Sequence, residues 1–205
     1  MTLASEVNLQ ELLTRGRRRI HLVGVAGSGM SGIAALLLEL GHDVSGSDKV
    51  GSWETDRLQR LGLRFRAEHR AEDASDAELG IFSSAIRETN PILVSARAAG
   101  QPVARRAEAL AAIMSGKRGI VVVGMHGKTT TSAMMAHVLR EGGVHPSHYV
   151  GAEIPLLGSN AHWDGRGEYF VAEGDAVHLF LDRAGIGIHE NANGRAHLCW
   201  FDFAR

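Results

Sequence analysis

Two glycine-rich turns, each lying between an apolar run and a helical pattern, constrain the fold of this 205-residue chain more than any other feature. The first turn follows the apolar run at residues 20–25, and the second follows residues 120–123. Helical periodicity resumes after each turn, at residues 30–40 and 128–141. Strands that alternate with helices through tight turns are typical of an α/β protein in which helices cover both faces of a parallel sheet.

The same alternation continues through most of the chain. Further strands are predicted at residues 43–48, 79–83, 102–103 and 168–172, and further helices at 53–61, 91–99 and 105–114. A short polar break at residues 115–119 separates the two glycine turns, so we expect one domain over residues 1–115 and a second over 119–205. Glycine and asparagine interrupt residues 181–205, which form a tail where neither helical nor strand periodicity survives.

Composition excludes several classes of function. A net charge of −1 and a pI near 6.8 leave no global field to hold nucleic acid or an anionic membrane surface. Cys199 is the single cysteine, which excludes an internal disulfide framework and fits a reducing compartment. With no long apolar run and no basic-then-apolar start, the sequence predicts a cytoplasmic protein that binds neither nucleic acid nor membrane.

The first turn contains the spacing G-x-G-x-x-G at residues 27–32. Glycine lets the chain turn sharply and lets a phosphate approach backbone amides at the helix N-terminus. Asp48 lies 19 positions after Gly29, at the end of the second predicted strand, where a ribose hydroxyl would be bound. These features predict a nucleotide site, and taken alone they would indicate NAD. Close packing of the helix against the strand, without any ligand, is the alternative.

The second turn, at residues 124–131, has the abbreviated phosphate-loop spacing G-x-x-G-K-T. A full P-loop would need glycine at position 122, where this chain has Val122. Backbone N–H groups and the helix dipole can receive phosphates, while Lys128 neutralises charge on the β and γ groups. ATP is therefore the predicted ligand, bound by Gly124, Met125, His126, Gly127, Lys128, Thr129 and Thr130. The alternative is a plain helix start, with Thr129 as a cap and Lys128 in solvent.

Mg²⁺ is expected with the ATP, because a hydroxyl that follows the phosphate-loop lysine can bind this ion. Thr129 supplies that hydroxyl, and Glu173 directly follows the strand predicted at 168–172. Alone, Glu173 could be an ordinary strand-end carboxylate, but beside a phosphate loop it becomes a predicted metal ligand together with Thr129. Two phosphate-binding turns in successive α/β units argue against a simple dehydrogenase. They indicate one nucleotide-linked substrate and one nucleoside triphosphate.

Several segments together resemble the Mur ligase family. Residues 23–34 and 44–48 are similar to that family's opening motifs, and further matches follow in the same order at residues 83–86, 90–91, 106–108, 126–131, 158–161 and 169–173. The resemblance covers roughly residues 15–175, and its order and spacing make it more specific than either loop alone. It implies a Rossmann-like parallel-sheet domain followed by a partial P-loop ATPase-type α/β domain.

The resemblance also implies an activity and a set of site residues. The activity is the ATP-dependent addition of L-alanine to UDP-N-acetylmuramate in peptidoglycan synthesis, through an acyl phosphate that the L-alanine amine attacks. The first domain would then hold the UDP part of UDP-N-acetylmuramate rather than NAD. Its diphosphate would be faced by Gly27, Ser28, Gly29, Met30 and Ser31, with Ser47 and Asp48 near the uridine. In the second domain Lys128 would stabilise the transferred phosphoryl group. His126 would contact phosphate or the acyl phosphate, unless it only packs the loop.

The sequence departs from the family after Glu173. The family continues there with an acidic run, whereas this chain has Gly174 and Asp175 followed by unrelated residues. The family's later metal-binding histidine element has no counterpart, so we expect an incomplete ligase with unpaired sheet edges. A premature end after a shifted reading frame is favoured over a deliberately short chain.

Two other functions stay open: a ligase that recycles murein tripeptide, and a fragment that binds a nucleotide or UDP-sugar without turnover. The sequence leaves the oligomeric state open.

Overall fold

The computed structural model describes residues 9–174 and 197–202. The chain divides into two compact units, Met1–Ala109 and Leu110–Arg205, each built around its own five-stranded sheet. The predicted α/β fold class is therefore confirmed. The division falls inside a helix, a few residues before the polar break at 115–119. Within the described residues no helix is both long and apolar enough to cross a bilayer.

The first unit follows a strict alternation of strand and helix. Its elements are α1 (Leu9–Thr14), β1 (Arg19–Val23), α2 (Ser28–Glu39), β2 (Asp43–Asp48), α3 (Trp53–Arg60), β3 (Arg64–Ala67), a 3-10 helix (Ala71–Ala74), β4 (Leu79–Phe82), α4 (Pro91–Ala98) and β5 (Val103–Arg105), followed by α5 (Arg106–Met114), which contains the boundary between the units. The strands pair in the order β3-β2-β1-β4-β5, and every pairing is parallel. The chain leaves β1 on one side and returns on the other, so the switch point between β1 and β4 is where an open α/β sheet binds its ligand.

Burial explains why β1 takes the centre of this sheet. Ile20 and Leu22 are fully buried on one face, while His21 is fully buried on the other. A central parallel strand is covered on both faces, which requires a nearly continuous apolar run. Helix α2 packs closely on the sheet because its small residues Gly32, Ala34 and Ala35 are all buried. This packing holds the first glycine turn at the carboxyl end of β1.

Local capping fixes two of the helix starts. Ser52 precedes α3, and its hydroxyl accepts the Thr55 N–H at 3.3 Å while its own N–H donates to Thr55 Oγ1 at 2.8 Å. Asn90 precedes α4, and its Oδ1 accepts the Ile92 N–H at 2.9 Å. Pro91 occupies the first helical position, where its missing N–H costs no hydrogen bond. Both starts lie within a residue of the positions that the sequence predicts.

The second unit is a mixed sheet. Its described elements are β6 (Arg118–Val123), α6 (Lys128–Glu141), β7 (Ser147–Tyr149), β8 (Ala161–His162), β9 (Tyr169–Glu173) and β10 (His197–Asp202). The strand order is β10-β6-β9-β7-β8, with β6, β9 and β7 parallel and the two outer strands antiparallel. The buried core between this sheet and α6 contains Ile120, Ala133, Ala136, Val150, Leu157 and Val171. Because β6 and β9 are neighbours, the turn after β6 lies beside the end of β9.

The second unit contains a strand in the tail that was not predicted. Strand β10 lies in the tail where no strand was predicted, and its backbone pairs antiparallel with β6 from His197↔Val123 to Asp202↔Arg118. One edge of β6 is therefore paired with a strand from the tail. Pairing to a partner strand supplies backbone hydrogen bonds that no local periodicity reports. The other tail residues, 181–196 and 203–205, lie outside the described residues, as does Asp175.

The polar break at residues 115–119 is less exposed to solvent than its polar composition indicates. Lys117 is only 6% exposed, and its Nζ donates to the Asp164 carbonyl at 2.6 Å and to the Gly167 carbonyl. The ammonium also lies 4.3 Å from the centre of the Trp163 ring. Burial lowers the pKa of this ammonium. Lys117 thus fastens the loop before β9 to the start of β6, a role that a polar composition does not indicate.

Candidate functional site

The first glycine turn is held against the end of β2 by backbone hydrogen bonds. The Ser47 carbonyl accepts the N–H groups of Gly24 at 2.8 Å and Val25 at 3.3 Å. Gly24 has a φ of 86°, a left-handed conformation that favours glycine. Asp48 joins the same arrangement, because its Oδ2 accepts the Ala26 N–H at 2.9 Å. The carboxylate of Asp48, which was predicted to bind the ribose, is therefore in direct contact with the turn that was predicted to bind the diphosphate.

The structure distributes the predicted UDP-sugar residues between the surface and the interior. Gly27 and Ser28 are exposed, and Gly29 is half-buried in the first turn of α2. Met30 and Ser31 are buried beneath them. The Ser31 N–H donates to the Gly27 carbonyl at 2.8 Å, and its hydroxyl lies against the Ser28 carbonyl and the Glu54 carboxylate.

Ser31 is thus engaged with protein atoms under the turn rather than presented at its surface. The buried carboxylate of Glu54, on α3, is a neighbour of the turn that sequence reasoning missed. Its position depends on how α3 packs against α2, and no sequence motif marks it.

A buried imidazole connects the strands beneath this turn, and sequence reasoning missed it as well. His21 Nδ1 lies 2.9 Å from Ser45 Oγ, and its Nε2 lies 3.1 Å from Ser47 Oγ. The Ser47 hydroxyl also lies 3.0 Å from Nδ1 of His69. Burial lowers the pKa of His21 to about 4, so the ring is neutral, with one donor and one acceptor nitrogen for the two hydroxyls. The Ser47 side chain, predicted near the uridine, is fully buried in this network.

The signal for this network was a histidine inside an apolar strand next to a Ser-x-Ser strand. The register pairs His21 with Ser45, which puts all three side chains on one face of the sheet. Alternation within each strand could have indicated the shared face, but only the parallel pairing of β1 with β2 brings the side chains together.

We expect the stability of the chain to fall as the pH drops through the range set by His21. Its folded pKa of about 4 lies below the ordinary value of 6.5, so between these values the unfolded chain binds a proton that the folded chain does not. The resulting loss at pH 5 is about 2 kcal/mol of unfolding free energy. Burial also lowers the pKa of His42, which adds to the loss in the same direction.

Urea unfolding at about pH 7.5 and about pH 5 measures this effect. His21→Gln keeps a hydrogen-bonding side chain but removes the titrating ring, so the difference between the two pH values should shrink by about 2 kcal/mol. An undiminished difference in the His21→Gln variant would show that other groups cause the pH dependence.

The second glycine turn connects β6 to α6. Gly124 has a φ of 138° and Gly127 a φ of 82°, and Gly127 is the residue that precedes the first turn of α6. Met125, His126 and Gly127 are exposed, so their backbone lies at the surface of the loop. Left-handed glycines at both ends let successive N–H groups converge toward one side, as in anion-binding loops.

Lys128 folds back over this turn. Its Nζ donates to the Gly124 carbonyl at 2.6 Å and lies 3.4 Å from the Met125 carbonyl. The ammonium therefore lies over the loop whose bound phosphates it was predicted to neutralise. Thr130 and His126 are exposed, and their predicted contacts with phosphate stay predictions.

The structure brings the two predicted metal ligands together. Glu173 ends β9 opposite Val122 of β6, only 8% exposed, and its Oε1 accepts the Thr129 hydroxyl at 2.9 Å. Its Oε2 accepts the Gly151 N–H at 2.7 Å. A hydroxyl and a carboxylate beside a phosphate loop are the hard oxygen ligands that fit Mg²⁺. Within the described residues no cluster of three His, Cys, Asp or Glu side chains forms a metal site.

The sequence of this chain is similar to sequences of one known protein family. Residues 19–118 match a family model described as "Mur ligase family, catalytic domain". A UDP-N-acetylmuramate–L-alanine ligase of Sorangium cellulosum is 48% identical over 162 residues, which is 78% of this chain and 34% of the relative. The chain belongs to the Mur ligase family. The family resemblance inferred from the motifs is confirmed.

Solved structures resemble this Mur ligase chain in fold. A UDP-N-acetylmuramate-alanine ligase from Thermotoga maritima has a TM-score of 0.71 and 34% identity, and the match covers 76% of this chain and 36% of the other. A UDP-N-acetylmuramate:L-alanyl-gamma-D-glutamyl-meso-diaminopimelate ligase from Neisseria meningitides has a TM-score of 0.71 and 25% identity, over 77% of this chain and 52% of the other. The chain spans about a third of the length of the curated relatives that it matches.

Proposed function

We propose that this chain is the nucleotide-binding part of an ATP-dependent ligase that joins L-alanine to UDP-N-acetylmuramate in peptidoglycan synthesis. The observation that carries the proposal is the contact of Thr129 with Glu173 beside the second glycine turn, at 2.9 Å. The identity of 48% to an L-alanine ligase supports the choice of amino acid. In keeping with its single cysteine, the chain would work in the cytoplasm.

The first unit would bind the UDP-sugar. Gly27, Ser28 and Gly29 lie at the start of α2, where the helix dipole favours the negative charge of a diphosphate. Met30 and Ser31 would shape the turn from below, and Ser47 would do so through its carbonyl. Asp48, half-buried and bonded to the turn, would accept hydrogen bonds from the ribose of uridine.

The second unit would bind ATP and Mg²⁺ at the second glycine turn. Residues 124–130 would surround the phosphates, with Lys128 placing a positive charge among them. Mg²⁺, when bound by Thr129 and Glu173, would neutralise charge on the phosphate oxygens. The ammonium of Lys128 would exchange its bonds to the Gly124 and Met125 carbonyls for bonds to phosphate, which are stronger because both partners are charged.

In the proposed reaction the muramate carboxylate attacks the γ-phosphorus of ATP, forming an acyl phosphate and ADP. The amine of L-alanine then attacks the acyl carbon, the amide bond forms, and phosphate leaves. Lys128 would stabilise the charge that develops on the transferred phosphoryl group, and His126 would contact the phosphate or the acyl phosphate.

Two other functions compete with this proposal. The resemblance to the Neisseria meningitides ligase, at a TM-score of 0.71, favours a murein peptide as the acceptor amine. The contact of Thr129 with Glu173 beside the second glycine turn would equally serve a protein that binds its nucleotides without turnover.

We expect titration calorimetry to detect one site for UDP-N-acetylmuramate and an independent site for ATP with Mg²⁺. A coupled assay of ADP release, with the UDP-sugar and either L-alanine or the tripeptide, then separates the three functions. ADP that depends on L-alanine supports the L-alanine ligase, and ADP that depends on the tripeptide supports the recycling ligase. Binding of both nucleotides without amine-dependent ADP identifies a binding fragment. Absence of binding for both would refute the two-site proposal.

A further inference from the structure

Both oxygens of the Glu173 carboxylate have a fixed partner. Oε1 accepts the Thr129 hydroxyl at 2.9 Å, and Oε2 accepts the Gly151 N–H at 2.7 Å. Thr129 belongs to the phosphate loop that the sequence identifies. Gly151 belongs to the segment after β7, and no sequence motif connects it with a phosphate or a metal. Its amide nevertheless makes the shorter of the two contacts.

Gly151 is also the residue at which a side chain would collide with this carboxylate. A Cβ atom built at position 151 would lie 2.7 Å from Oε2, 3.3 Å from the carboxyl carbon and 3.5 Å from Oε1 of Glu173. The φ of Gly151 lies outside the left-handed region that favours glycine, so alanine would meet no backbone strain there. The three atoms nearest to this Cβ all belong to the carboxyl group of Glu173, so a side chain at position 151 would displace that group.

The fold holds the Gly151 amide in place. Strand β7 pairs in parallel with β9, with Tyr149 opposite Ala172, so the chain after β7 runs alongside the end of β9. Val150 is fully buried, and its N–H donates to the Asn160 carbonyl at 2.8 Å. Because Val150 is held in this way, the amide of Gly151 has a fixed position. It can orient the Glu173 carboxylate by a hydrogen bond, without adding a charge.

We propose that Gly151 is a positioning residue for the metal-binding carboxylate of Glu173. Its amide holds Oε2 and its missing side chain leaves room for the carboxyl group, so that Oε1 keeps its place beside the Thr129 hydroxyl. Groups that orient metal ligands contribute to metal affinity although they do not touch the ion. This inference rests on the proposed binding of ATP with Mg²⁺.

The test compares Gly151→Ala with the unchanged chain by titrating ATP in the presence of Mg²⁺ and in the presence of EDTA. We expect the gain in ATP affinity that Mg²⁺ produces to fall about 10-fold in Gly151→Ala, with the affinity in EDTA unchanged. Gly116→Ala is the matched control, because a Cβ at Gly116 meets nothing within 4 Å and its φ is likewise not left-handed. Far-ultraviolet circular dichroism of each variant checks that the chain is folded.

A double-mutant cycle with Glu173→Asp separates positioning from general disturbance. The shorter side chain withdraws the carboxylate, so Gly151→Ala should cost less than about 2-fold in the Glu173→Asp background. Full additivity, or an equal loss of affinity in EDTA and in Mg²⁺, would overturn the positioning role. If the unchanged chain gains no ATP affinity from Mg²⁺, the proposed function fails instead.

Discussion

Lys128→Ala should weaken the binding of ATP by about 100-fold, because an ammonium that contacts phosphate contributes about 3 kcal/mol. The Lys128 ammonium lies over the second glycine turn, 2.6 Å from the Gly124 carbonyl. Removing it leaves the backbone amides of the turn but takes away its cation. Titration calorimetry of ATP with Mg²⁺ measures the loss.

Binding of the UDP-sugar to the same Lys128→Ala variant is the control for this prediction. UDP-N-acetylmuramate should bind it as tightly as it binds the unchanged chain, because the residues assigned to the UDP-sugar all lie in the first unit. Equal loss of both ligands would contradict the assignment of two separate sites. Unaltered ATP affinity would favour the alternative in which Lys128 is a solvated residue at a helix start.

Gly46→Ala, in strand β2 beside the first glycine turn, should strongly disturb that turn. A Cβ atom at position 46 of β2 would lie 2.8 Å from both Cβ and Cγ1 of Val25, and 3.0 Å from its Cγ2. Val25 is fully buried and branched at Cβ, so no rotation of its side chain removes the collision. The turn would have to move away from β2, breaking the contacts of Gly24 and Val25 with the Ser47 carbonyl.

We expect this Gly46→Ala overpacking to lower the free energy of unfolding by about 3 kcal/mol and the affinity for UDP-N-acetylmuramate by about 10-fold. Urea unfolding and calorimetry measure the two effects. Gly80→Ala, in β4, is the matched control, because its Cβ would meet only the Val103 side chain at 3.3 Å and the Pro102 carbonyl at 3.9 Å.

Adding Val25→Gly to Gly46→Ala removes all three colliding atoms and should restore part of the UDP-sugar affinity. Absence of any rescue would mean that the collision with Val25 is not the cause of the loss. Glycine in place of Val25 also gives up buried apolar area and adds backbone freedom, so we expect stability to recover less than affinity.

Much of the architecture was predictable because its signals are local. The apolar runs predict β1, β4, β6 and β9, and the alternation of strands with helices predicts β2 at residues 43–48; the structure confirms all five. The glycine, lysine and threonine residues after β6 predict that a helix begins at Lys128, and α6 does begin there. Strand β3 escaped prediction because it is a short edge strand whose residues are mostly exposed, which leaves little hydrophobic pattern to detect.

The candidate site was predictable only in part. Thr129 was identified as the hydroxyl that follows the phosphate-loop lysine, and Glu173 by its place after a strand. The glycine turns were identified by spacing. The surroundings of these residues were not: His21, Glu54 and Gly151 carry no motif, and Ser31 and Ser47 were expected near the ligand but are buried. The burial and the partners of a side chain depend on which strands are neighbours in the sheet. Neighbouring strands can be distant in the sequence, so a local pattern does not show how they pair.

By itself the sequence determined the family, the alternation of strands and helices, and the two turns whose backbone can receive phosphate. These follow from hydrophobic period and from glycine, which act within a few residues of the chain. Only the tertiary structure decided that β9 lies between β6 and β7, and thereby that Glu173 has the Thr129 hydroxyl on one oxygen and the Gly151 amide on the other. Strand order is set by the packing of the whole sheet, so the groups that orient a ligand come from segments that no local pattern connects.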